Sequence, residues 1–75
     1  MDDGHLQRTL GSNLRAWRTE KGLSQEAFAD VLGYHRTYVG GLERGERNVT
    51  LRSLERIAST IKVNAVDLLT QESLL

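Results

Sequence analysis

The segment Leu23-Ser24-Gln25-Glu26-Ala27-Phe28-Ala29-Asp30-Val31-Leu32-Gly33-Tyr34-His35-Arg36-Thr37-Tyr38-Val39-Gly40-Gly41-Leu42-Glu43-Arg44-Gly45 reads as two short helices with almost nothing between them. Ser24 is a good N-cap, with Gln25 and Glu26 in the first turn that follows. Phe28, Ala29 and Leu32 supply an inner side, and Gly33 stops the helix. The next helix runs from about His35 to Arg44, with Val39 and Leu42 inward and Gly45 closing it. Each position has a mechanical reason. A small residue at Ala29 lets the helices cross closely at a steep angle. Gly33 supplies the positive φ of a tight turn. Val39 and Leu42 pin the second helix of the pair by one face and leave its opposite face free.

Helical spacing continues on both sides. Leu6, Leu10, Leu14 and Trp17 recur at intervals of four, four and three, the stripe of a helix that ends at Lys21-Gly22. Thr50 caps a helix whose Leu51, Leu54, Ile57, Ala58 and Ile61 again follow helical spacing, with Leu54, Ile57 and Ile61 inward. Asn64 caps a last one, with Asp67 in its first turn. No stretch alternates with period two, and there is no linker or repeat. The expected fold is all-α: five helices in a single domain over residues 1–75, with residues 1–5 flexible.

The chain has 75 residues, no cysteine and no proline. Disulfides and thiolate metal sites are excluded, and His5 and His35 alone make a poor start on a metal centre. No metal or other cofactor is expected. No apolar run approaches the ~18 residues of a membrane span. Met1-Asp2-Asp3-Gly4-His5 does not read as a secretory signal, so a cytoplasmic location is expected. Basic and acidic residues balance at ten each, yet Arg36, Arg44, Arg47, Arg52 and Arg56 face only Glu43, Glu46 and Glu55 between residues 34 and 56. No nucleophile–base grouping or phosphate loop stands out, and an enzyme is not indicated.

Two helices in this register form a helix-turn-helix, whose second helix enters the major groove of DNA. Leu23-Ser24-Gln25 through Gly33, Arg36-Thr37-Tyr38-Val39 and Leu42-Glu43-Arg44-Gly45 resemble the phage-repressor (Xre/Cro-type) helix-turn-helix family, over roughly residues 10–69. His35-Arg36-Thr37-Tyr38-Val39 and the run from Glu43 to Leu51 further resemble the controller proteins of restriction–modification systems. Those are stand-alone chains of about this length that bind operator DNA as homodimers and time expression of their own and the endonuclease gene.

The resemblance implies that Arg36 and Thr37 read base edges. Arginine can bond guanine O6 and N7 as a bidentate pair, and threonine offers a hydroxyl and a methyl suited to thymine. Gln25 matches a phosphate-contacting glutamine. Arg44, Arg47, Asn48 and Ser53 match positions near the phosphodiester backbone, with Arg47 also a candidate for a base. Tyr38 either places its hydroxyl on a phosphate or supports the helix as a half-buried ring. Arg18 and Glu43 match a salt-bridged pair that ties two helices together. Trp17 reads as core, and Arg52 and Arg56 as solvated charges.

The sequence departs from the family pattern in two places. His35 stands at an N-cap where serine or threonine is usual and imidazole caps poorly. Gly40-Gly41 falls mid-helix, on the face of Arg36 and Thr37, at about 1 kcal/mol per glycine relative to alanine. Either the helix sits deeper in the groove there or base reading is confined to its first turn; the second is favoured. A homodimer is expected from apolar residues left over after the core is filled, namely Val66, Leu69 and Leu74. No small-molecule ligand is evident. The alternatives are a general Xre-type repressor or antitoxin, or a protein-interaction module that has lost DNA binding.

Overall fold

The computed structural model of the protein describes residues 3–71. Four α-helices account for most of them: α1 (His5–Glu20), α2 (Gln25–Leu32), α3 (Arg36–Glu43) and α4 (Leu51–Ile61). No strand occurs among the described residues. The expected fifth helix is instead a single 3₁₀ turn, Asp67–Leu69. Asn64 is not its cap: Val66 holds the N-cap place without a side-chain hydrogen bond, and Asn64 Oδ1 accepts from Val66 N at 2.8 Å in the turn that precedes it. The first helix begins at His5.

Capping fixes the helix boundaries. Ser24 Oγ accepts from Ala27 N and Thr50 Oγ1 from Ser53 N, both at 3.0 Å. His35, expected to cap poorly, does cap: its Nδ1 accepts from Thr37 N at 3.1 Å. The imidazole takes the N–H of the second helical residue, where Ser24 and Thr50 take that of the third. Gly33 ends α2 at φ +77°, donating to Ala29 O at 2.8 Å, and Tyr34 N bonds the same carbonyl at 3.0 Å.

The core takes Leu10 and Leu14 from α1, Phe28, Ala29 and Leu32 from α2, and Val39 and Leu42 from α3. It is completed by Leu54, Ile57, Ala58 and Ile61 of α4 and by Leu68. Trp17 is half-buried and stacks on Phe28, centroids 5.5 Å apart. Two residues on the apolar stripes lie outside the core: Leu6 is 54% exposed and Leu51 is 78% exposed. Both sit at helix starts, where the stripe runs past the edge of the core.

Helix α3 packs against both α1 and α2. The α1–α3 approach is possible because position 11 has no side chain. A Cβ there would press into the Leu42 carbonyl oxygen and lie 2.6 Å from that of Glu43. The 3₁₀ turn is held by a buried amide. Asn13 Nδ2 donates to Leu68 O and Thr70 O, both at 2.9 Å, and more weakly to Asp67 O at 3.4 Å. With Leu68 anchored inward, Val66 is left 69% exposed.

Candidate nucleic-acid interface

An ion pair ties the end of α3 to α1. Arg18 grips Glu43 with both ends of its fork, Nε to Oε2 at 2.7 Å and Nη2 to Oε1 at 3.0 Å. The Arg18 Nη1 also donates to Leu23 O at 3.0 Å, tying in the loop before α2. The Glu43 side chain is 3% exposed and that of Arg18 14%. Hydrogen bonding to Glu43 raises the Arg18 pKa above its ordinary value; burial opposes this, and the Glu43 charge adds to it. Gln25 joins the pair, its Nε2 donating to Glu43 Oε1 at 3.1 Å. One carboxylate thus joins α1, the start of α2 and the end of α3. A buried pair of this kind fixes orientation more than it adds stability.

On that frame the first turn of α3 presents Arg36 and Thr37 to solvent. Tyr38 is half-buried and meets Tyr34 edge to face at 4.9 Å. Burial raises the Tyr38 phenol above its ordinary pKa, Tyr34 adds to the shift and Arg47 opposes it. The Arg47 guanidinium lies over the Tyr38 ring, 5.4 Å from its centroid. Arg44 is exposed and paired with Glu46 at 3.1 Å.

Gln25, Tyr38, Arg44 and Arg47 are therefore gathered around the middle of α3, beside Arg36 and Thr37. Asn48 and Ser53 take other partners. Asn48 Oδ1 accepts from Gln7 Nε2 at 2.6 Å, and Ser53 Oγ accepts from the Thr50 hydroxyl at 3.0 Å. Arg56, read as a solvated charge, is engaged: its guanidinium lies 4.8 Å from the Tyr34 ring centroid, and Nη2 donates to Leu32 O at 3.2 Å. The Gln7 contact had no signal in the sequence. Its partner lies 41 positions away.

The profile of the helix-turn-helix family matches residues 14–68, which begin within α1 and end in the 3₁₀ turn. The chain belongs to the helix-turn-helix family. This helix-turn-helix protein is similar to the control protein C.SmaI of Serratia marcescens, 42% identical over 69 residues that cover 92% of this chain and 82% of the relative. It is also similar to the crystal structure of the restriction-modification controller protein C.AhdI from Aeromonas hydrophila. That match has a TM-score of 0.72 and 44% identity, over 83% of this chain and 94% of the other. The controller protein C.Esp1396I matches with a TM-score of 0.73 and 34% identity, over 93% and 94%. No described helix is long and apolar enough to cross a membrane, and no His/Asp/Glu cluster fit for a metal occurs among the described residues.

Proposed function

We propose that this helix-turn-helix protein is a transcriptional regulator, not an enzyme, that binds operator DNA as a homodimer. Its role is that of a restriction–modification controller acting on its own gene and the endonuclease gene, in the cytoplasm and at the nucleoid. The observation that carries the reading is the exposed Arg36–Thr37 turn, held on α3 by the three-way Arg18–Glu43–Gln25 link. Arg36 and Thr37 read base edges. Gln25, Tyr38, Arg44, Arg47, Asn48 and Ser53 line the backbone or make mixed contacts.

One copy is too small for tight, specific binding. Eight residues of α3 span about 12 Å, enough for only a few base pairs. Two copies would read half-sites about one helical turn apart, some 34 Å. The candidate contact surface is apolar: Leu6, Leu51 and Leu69 line a groove of about 450 Å³, and Val66 stands exposed at the start of the 3₁₀ turn. Leu74, expected in the same surface, lies outside the described residues. Exposed apolar patches of this kind mark interfaces. Val66→Asp changes no core contact and shifts the protein toward monomer, with loss of operator affinity; sedimentation equilibrium reads this directly.

Gel-shift titration tests the reading head. Arg36→Ala weakens binding to operator by about 1–3 kcal/mol and leaves binding to a scrambled duplex nearly unchanged. Equal losses on both duplexes would make Arg36 a backbone contact only and sink its role as a reader.

A further inference from the structure

Adjacent glycines in the middle of a DNA-facing helix weaken that helix, so Gly40-Gly41 needs a reason. Both residues are buried, and the atoms that cover them come from neighbouring side chains. A Cβ on Gly41 would lie 2.8 Å from Arg47 Nε, 3.1 Å from its Cγ and 3.4 Å from its Cδ. The Arg47 stem therefore rests on bare α3 backbone while its guanidinium covers the Tyr38 ring. At Gly40 the nearest atoms belong to other side chains, Arg44 Nη1 at 3.1 Å and Gln25 Oε1 at 3.3 Å, so a Cβ there does not touch Arg47. A Cβ on Gly41 displaces the Arg47 stem from its seat.

We propose that Gly41 is a specificity-determining position, because it seats Arg47 along the DNA-facing side of α3. An arginine from the loop thereby supplies the base contact that a glycine cannot make itself. The ligand chemistry is a guanine edge in the major groove, which the planar guanidinium fork bonds through two parallel N–H groups. Seating matters because an arginine already held between a ring and a backbone has less rotamer freedom left to lose on binding. The inference rests on α3 being the recognition helix. It takes up the base contact that the family resemblance implies for Arg47, and adds Gly41 as the residue that positions it.

The test has one arm without DNA and one with it. In the free protein, the Arg47 δ-proton and Nε–H resonances are displaced by the Tyr38 ring. Gly41→Ala moves them toward random-coil positions, and Gly40→Ala leaves them in place. For the DNA arm, the probe is a duplex selected from a random pool by wild-type protein. Gly41→Ala weakens binding about tenfold in the wild-type background and less than twofold in an Arg47→Ala background. Arg47→Lys, which keeps the charge but loses the fork, loses preference at the same base pair and retains the salt dependence. Unmoved Arg47 resonances in Gly41→Ala, or equal losses in both backgrounds, overturn the proposal while wild-type selection stands. If wild-type protein enriches no duplex at all, the DNA-binding reading itself falls, and this proposal with it.

Discussion

Gly11→Ala places a methyl group where α1 crosses α3. The added Cβ would press into the Leu42 carbonyl and stand 2.6 Å and 2.8 Å from the Glu43 carbonyl oxygen and carbon. These are backbone atoms with no freedom to turn away. Leu42 is 1% exposed in the core, and the Glu43 carboxylate is gripped from α1 by Arg18. Relief requires the crossing to open. Overpacking of this kind costs about 1–3 kcal/mol, and contact with rigid backbone puts this case at the upper end. Alanine returns about 1 kcal/mol of helix propensity. The net loss is about 2 kcal/mol, which in a domain of this size lowers the melting temperature by about 8–16 °C. Thermal melts followed by circular dichroism measure it, with Ser12→Ala at the neighbouring exposed position as the propensity control. A Gly11→Ala protein that melts at or above wild type would refute the close crossing as the reason for glycine.

Two further perturbations probe the frame. Asn13→Ala removes the amide that holds the carbonyls of Leu68 and Thr70, and costs about 1–3 kcal/mol; unchanged amide-exchange protection across the 3₁₀ turn would count against this. Tyr38 holds its proton more tightly in the folded chain than the ordinary phenol value of 10.0. The unfolded chain ionises first, so the Tyr38 contribution is intact below about pH 10 and is lost as pH rises toward the higher folded value. Tyr38→Phe flattens that alkaline decline; identical slopes in melts between pH 9 and 11 would contradict it.

The α2–α3 pair was legible because its signals are local. Ser24 caps, Gly33 turns, and Val39 and Leu42 face inward, all within a short stretch of chain. Helix α4 was legible for the same reason, from Thr50 through Ile61. The Arg18–Glu43 pair came from family resemblance, and its bidentate geometry and the Gln25 link came from the fold. What escaped depends on distant partners. Gly11 is interpretable only once Leu42 and Glu43 are beside it, and Asn13 only once a turn 55 residues further on supplies its carbonyls. Leu6 and Leu51 obey helical spacing but overhang the core, since periodicity gives a direction and not the extent of what lies there. Gly40-Gly41 registered as an anomaly in the sequence; its occupants, Arg44, Gln25 and Arg47, became visible with the side chains in place.

Selection of duplexes from a random pool by wild-type protein, followed by hydroxyl-radical footprinting of the winners, tests most directly whether this chain reads DNA through paired α3 helices. The expected result is a two-fold symmetric site with two protected patches about one helical turn, some 34 Å, apart. Enrichment of that site is lost with Arg36→Ala. A pool that stays random after repeated rounds, or a winning site without two-fold symmetry that Arg36→Ala still selects, would contradict it.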